Sequence, residues 1–227
     1  MKDEAQEIKI APKVTVRLSG TGGQGLLLAG RILAEAAAIH DGLNVVQSNS
    51  YGPEARGGAS RSEVVISRGE VDDLRVRRFD VLVALSQKAC DAYYGDLIEN
   101  GMLIVDSTNV TVVPTSRAIE VPMTKMAVEE CGERMVTNII ALGVLCGCSN
   151  VVTLDALKAA LRTTLRSDLV AKNMKALELG YSAAAEAVRG ISERKRLQFR
   201  NYGFVREDTT APKSVKRNGH KKIAAVA

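Results

Sequence analysis

Two glycine-rich stretches hold the residues whose types and spacing have chemical meaning. The first is LSGTGGQGLLLAG, positions 18–30, in which Gly20, Gly22 and Gly25 form a G-x-G-x-x-G pattern with Gly23 and Gln24 inside it. It follows an alternating run and opens a helical one. At such a turn the first amides of the helix lack intrahelical partners and point outwards. The helix dipole adds positive potential there, so an anion is attracted. Missing side chains let a phosphate or carboxylate come close to the backbone. A tight turn with no ligand is the alternative reading.

The second stretch is NSYGPEARGGASRSE, positions 49–63, carrying Tyr51, Glu54, Arg56 and Arg61 around Gly52, Gly57 and Gly58. Arginine clamps carboxylates and phosphates through paired hydrogen bonds. Gly57-Gly58 permits positive φ and close backbone contact. In a doubly wound sheet, loops that follow strands gather on one edge, which places this loop near the glycine turn. A surface loop with a Glu–Arg ion pair is the alternative. The candidate ligand-binding residues are therefore Gly20, Gly22, Gly23, Gln24, Gly25, Tyr51, Glu54, Arg56, Gly57 and Gly58.

Several chemistries lack their residues. A dinucleotide site expects an acidic residue about 20 positions on, at the end of the second strand. That region reads Val45-Val46-Gln47-Ser48-Asn49-Ser50, and Asp41 precedes the strand at the wrong end. No Gly-Lys-Ser/Thr follows the glycines, so a triphosphate P-loop is excluded. The only histidines are His40 and His220, which leaves no hydrolytic triad and no His-rich metal spacing. Cysteines 90, 131, 146 and 148 form no CxxC pair, whereas an iron–sulfur cluster needs about four closely spaced thiolates. Cys146 and Cys148 read as small buried hydrophobes in a reducing compartment. No catalytic residue and no metal ligand is expected in this chain.

The elements that must position these loops read as strands alternating with helices. Val14–Leu18 is a first strand, Leu26–His40 a helix ended by Asp41-Gly42, and Asn44–Asn49 a second strand. Ser60–Ser67 alternates and is a third strand; Phe79–Leu85, with the run Val81-Leu82-Val83-Ala84-Leu85, is a buried aliphatic strand. Gln87–Asn100 reads as a helix closed by Gly101, with strands at Met102–Val105 and Ala118–Val121. Beyond Pro122 the pattern is helical: 125–131, 135–146, 154–165 and 168–196, with Thr153 and Ser167 at N-cap positions. The fold class is α/β: a Rossmann-like three-layer α/β/α arrangement with a mostly parallel sheet and a helical C-terminal third.

Composition agrees. Hydrophobic residues make up 46% of the 227, aromatics 4%, and Trp is absent, so the core rests on aliphatic side chains of the kind that fill buried parallel strands. No apolar run reaches the roughly 20 residues of a membrane span. Met1-Lys2-Asp3-Glu4 opens no signal peptide, and a cytoplasmic location is expected. The net charge is +5, concentrated between Arg189 and Lys222. Without interleaved aromatics this basic stretch reads as a solvated helix and a disordered tail, and nucleic acid is not an expected partner.

Taken in order, RLSGTGGQGLLLAGRILAEAA, QSNSYGPEARGGASRSEVVIS, FDVLVALSQKACDAY, GMLIVDS, MVTNIIALGVLCG and NMKALELGY resemble the gamma subunits of 2-oxoacid:ferredoxin oxidoreductases over residues 14–182. SYGPEARGG is more similar to the 2-oxoglutarate branch than to the pyruvate or indolepyruvate branches. The resemblance implies a complex that converts a 2-oxoacid and coenzyme A to acyl-CoA and carbon dioxide, with electrons passed to ferredoxin. It implies alpha, beta and possible delta partner subunits that hold thiamine diphosphate and the iron–sulfur clusters. It also implies that this subunit packs beside the thiamine site and helps to receive coenzyme A. The expected organisation is a polar extension over 1–12, a gamma-type domain over 13–200 and a basic tail over 201–227. The residues themselves leave two other functions open: a stand-alone NAD dehydrogenase, disfavoured by the missing acid, and a basic binding module acting through the tail.

Overall fold

The computed structural model describes residues 13–50, 59–71, 77–189 and 224–226. Seven strands form one sheet: β1 (Lys13–Thr21), β2 (Asn44–Ser50), β3 (Ala59–Ser67), β4 (Phe79–Ala84), β5 (Leu97–Asp106), β6 (Ile119–Val121) and β7 (Ala224–Val226). Their order across the sheet is β6-β5-β4-β1-β3-β2-β7. β1–β4, β4–β5, β5–β6 and β2–β7 are parallel pairs, while β3 runs antiparallel between β1 and β2. The mostly parallel sheet is as expected. The reversed β3 is not specified by its alternation, because period-2 patterning is the same in either direction.

Helices cover both faces. α1 (Leu26–Glu35), α3 (Met123–Cys131), α4 (Thr137–Cys148), α5 (Leu154–Thr164) and α6 (Ser167–Arg189) pack on the face carrying Val14, Val16, Val64, Ile66, Val81, Val83, Met102 and Ile104. α2 (Gln87–Tyr93) packs on the other face, against Leu82, Ala84, Leu103 and Val105. Strand residues alternate between the two clusters, as a pleat requires.

The C-terminal helices lie close together because small residues allow it. A Cβ on Gly143 would sit 2.2 Å from the Leu177 carbonyl oxygen, and one on Gly180 would sit 2.1 Å from that of Ile140. Gly147 faces Ala184 in the same seam. Eleven of the twelve residues of α4 are buried, which explains why its sequence is apolar on every side.

Several boundaries differ from the sequence reading. The first helix is α-helical only to Glu35 and continues as a π-helical turn, Ala36–His40, before Gly42 at φ 73°. The helix expected over Gln87–Asn100 ends at Tyr93, followed by a 3-10 turn, Tyr94–Asp96, and β5 from Leu97. Leu97 pairs with Phe79 and Met102 with Val81, so the intervening residues bulge out of the ladder. Thr153 caps α5 through Ala156 N, as expected, and is itself held by Asp41, which accepts from its amide and its hydroxyl at 2.9 and 2.8 Å. Ser167 is the first residue of α6 and not its flanking cap. Of the tail, expected to lack regular structure, Ala224–Val226 pairs with β2. The extension 1–12 and the remainder of 190–227 lie outside the described residues.

Candidate functional site

The chain leaves β1 through α1 towards β2, while β4 lies on the other side of β1. The winding therefore reverses between β1 and β4, and a crevice at the carboxyl ends of the strands is the expected place for a ligand. β1 and β4 are joined up to that edge: Ser19 Oγ donates to the Val83 carbonyl at 2.9 Å, and Leu85 N donates to the Ser19 carbonyl at 2.8 Å.

The glycine turn caps this crevice. Gln24 folds back over it: its Oε1 accepts from Thr21 N at 2.7 Å, and its Nε2 donates to the Leu85 carbonyl at 3.2 Å. A Cβ on Gly20 would lie 2.2 Å from Gln24 Oε1, so Gly20 is required by the brace. Of the expected ligand-binding residues, Gly20 and Gln24 are thus engaged with the protein itself. Gly22 and Gly23 are exposed, and among the described residues nothing lies within 4 Å of a Cβ built on either.

Gly25 sets the start of α1. It occupies the left-handed region at φ 70°, ψ 25°, and α1 has neither a side-chain cap nor an acidic residue in its first turn. The positive end of this helix is therefore not offset by its own residues. The Gly25 carbonyl accepts from Ala29 N at 3.0 Å and from Asn138 Nδ2, on α4, at 2.9 Å.

Tyr51, Glu54, Arg56, Gly57 and Gly58 lie outside the described residues. The two ends of their loop are placed. Ala59 pairs with Thr21, and Ser50 pairs with Arg61, so the loop starts and ends on the edge that carries the glycine turn.

Arg61 is part of β3 and not of the loop. Its Nε lies 2.8 Å from Glu63 Oε1, and its guanidinium sits over the Tyr93 ring. Beside it is a residue that the sequence analysis did not single out. Arg17 is buried on β1, bonded to Glu63 at 2.7 Å and Asp96 at 2.8 Å, with its guanidinium 3.2 Å from the Phe79 ring centroid. Burial pulls the Arg17 guanidinium below its ordinary pKa, opposed by Glu63 and Asp96. Two cations meet two carboxylates here, a balanced cluster that ties β1, β3 and the end of α2 together. The signal available was an arginine in a strand whose other polar residues between Val14 and Thr21 are small hydroxyl side chains.

A second group missed in the sequence closes the adjacent edge. Asp106, fully buried at the end of β5, accepts from Thr108 N, Thr124 N, Asn109 Nδ2 and Thr124 Oγ1, the last at 2.5 Å. Asn109 Nδ2 also donates to the Leu85 carbonyl. Asp106 thereby anchors the start of α3 to the same edge.

The edge thus carries an exposed Gly22–Gly23 backbone at the start of a helix whose first turn has no acidic side chain and no side-chain cap. Among the described residues there is no group of three or more His, Cys, Asp or Glu placed to hold a metal ion, and no helix is long and apolar enough to cross a membrane.

Comparison with known proteins agrees with the expected family and fold. Residues 15–183 match the family model for pyruvate ferredoxin/flavodoxin oxidoreductase. The chain is 41% identical over 182 residues to 2-oxoglutarate synthase subunit KorC of Methanocaldococcus jannaschii, covering 78% of this chain and 97% of that one. It is 34% identical over 184 residues to ketoisovalerate oxidoreductase subunit VorA of Methanothermobacter thermautotrophicus, covering 79% of this chain and 38% of that one. Among solved structures it is similar to the keto/oxoacid ferredoxin oxidoreductase gamma subunit of Geobacter sulfurreducens, with a TM-score of 0.71 and 44% identity over 78% of this chain and 99% of the other.

Proposed function

The chain belongs to the pyruvate ferredoxin/flavodoxin oxidoreductase family, and from that premise we propose that it is the gamma subunit of a 2-oxoglutarate:ferredoxin oxidoreductase. The enzyme joins 2-oxoglutarate and coenzyme A to give succinyl-CoA and carbon dioxide and passes two electrons to ferredoxin. The identity with KorC subunits, which extends over nearly their whole length, supports the 2-oxoglutarate branch above the ketoisovalerate one.

This subunit's part is to seat an anionic end of coenzyme A. The single observation that carries the reading is the open backbone at Gly22–Gly23, at the uncapped positive end of α1 and on the edge from which the β2–β3 loop springs. A phosphate fits that geometry because it needs donors and space and no side chain. When bound, coenzyme A supplies the thiol that accepts the acyl group. Thiamine diphosphate and the iron–sulfur clusters are assigned to the alpha and beta partners and to a delta subunit where the complex has one, in keeping with the lack of any group of three or more His, Cys, Asp or Glu placed to hold a metal ion among the described residues. Tyr51, Glu54, Arg56, Gly57 and Gly58 complete the seat, with Arg56 as the clamp on the anion. An NAD site is not favoured, since β2 ends in Gln47-Ser48-Asn49-Ser50 with no acid for a ribose.

The test is Gly22→Val in the assembled complex. The branched side chain fills the open space and blocks close approach. Its expected effect is a rise in KM for coenzyme A of about tenfold or more, equivalent to losing about 1.4 kcal/mol of binding, with KM for 2-oxoglutarate unchanged. An unchanged coenzyme A KM in a complex containing the variant rejects the seat.

A further inference from the structure

We propose that Asn138 is a positioning residue for the ligand on the glycine turn, acting through Gly25; this rests on the reading of the turn as the coenzyme A seat. Asn138 lies in the first turn of α4 and is 3% exposed. It does not cap its own helix: α4 has no side-chain cap bond. Its hydrogen bond goes instead to the Gly25 carbonyl, 113 residues away in sequence, at 2.9 Å. That carbonyl is the acceptor of the first backbone bond of α1, so Asn138 fixes the peptide from which the turn departs.

The fit is tight from both sides. A Cβ on Gly25 would stand 2.4 Å from Asn138 Nδ2, and Gly25 also holds a positive φ. The asparagine therefore needs a glycine at position 25, and its bond holds the peptide that directly follows the turn.

The other half of the amide has no packing rationale. Asn138 Oδ1 is buried and has no hydrogen-bond partner among the described residues. Rotating the amide does not relieve this, because Oδ1 would then face the Gly25 carbonyl, acceptor against acceptor. A stranded buried acceptor costs stability, and the residues that follow on α4, Ile139, Ile140, Ala141 and Leu142, bury plain hydrocarbon. An asparagine held at that cost is accounted for by its donor, and the donor's target is the turn. Stability spent at a site without a packing return points to function.

The test uses the assembled complex with Asn138→Ala and the size-matched Asn138→Asp, which replaces the donor with an acceptor facing the Gly25 carbonyl. KM for coenzyme A is expected to rise about tenfold, the worth of one well-made hydrogen bond in an ordered site. KM for 2-oxoglutarate, and kcat at saturating coenzyme A, are expected to stay within about twofold. A lowered melting temperature with unchanged coenzyme A KM makes Asn138 merely structural and overturns the proposal. If Asn138→Ala fails to assemble, Asn138→Asp carries the same test, since it preserves the volume of the site. Gly22→Val, measured in parallel, separates the two levels. A shift for Gly22→Val alone removes the role of Asn138 and leaves the seat intact. No shift for either variant removes the seat itself.

Discussion

Gln24 Nε2 donates to the Leu85 carbonyl across the point where the winding of the sheet reverses, at 3.2 Å. The same side chain holds Thr21 N through Oε1, so one amide fastens the end of β1 to the residue that follows β4 and braces the turn that leads into α1. Gly22 and Gly23, just before Gln24, stay exposed.

Gln24→Ala removes both bonds and leaves Thr21 N and the Leu85 carbonyl without this partner, although Asn109 still reaches Leu85. The expected loss is about 1–2 kcal/mol, the sum of two modest net hydrogen bonds. Urea unfolding should show a lower midpoint with an unchanged m value. An unchanged midpoint means that the brace contributes nothing.

Asp106→Asn probes the adjacent edge. The carboxylate accepts four hydrogen bonds, whereas an amide presents one acceptor oxygen and turns its NH2 towards donors. The expected cost is about 2–4 kcal/mol, from buried donors left facing a donor. Thermal unfolding should register it as a clear drop in Tm, and a native-like Tm contradicts the described network.

Much of the scaffold was legible in the sequence, and the reasons are local. Val14, Val16 and Leu18 alternate, and Val81 to Leu85 is continuously apolar, so β1 and β4 declare themselves. The glycine turn between strand and helix is fixed by residue type. What was hidden depends on distant partners. Gln87–Asn100 carries helical composition throughout, yet Leu97 is drawn into the sheet by Phe79, and helix propensity yields to strand pairing. Gln24 and Gly20 read as ligand-facing, while their contact with each other is visible only in three dimensions. Arg17 drew no notice because its partners Glu63, Asp96 and Phe79 are far away in sequence. Asn138 sits in an apolar helix with no local sign that it reaches Gly25.

The cysteines give a pH-dependent prediction. Burial pushes the Cys146 and Cys148 thiols from an ordinary 9.0 up to about 12, with Asp41 and Asp155 adding to the effect on Cys146 and Cys146 adding to that on Cys148. Burial and Asp91 push Cys90 up to about 11. Below pH 9 these thiols are protonated in both folded and unfolded chains and add no pH dependence. Between pH 9 and about 12 the unfolded thiols ionise while Cys146 and Cys148 stay protonated in the folded chain, as Cys90 does to about 11. The unfolded state then holds fewer protons, so stability falls as pH rises. A thiol titration of the native protein near neutral pH should modify Cys131, the half-buried one, well before the other three. Rapid labelling of Cys146 or Cys148 in the folded protein contradicts the burial.

The most direct measurement is hydrogen–deuterium exchange on the assembled, active complex with and without coenzyme A, read on the peptide spanning residues 20–27. Slower exchange there when coenzyme A is added, with no matching change across α5, is the predicted result. Identical exchange in that peptide, in a complex that turns over, contradicts the claim that the open amides of the glycine turn receive the ligand.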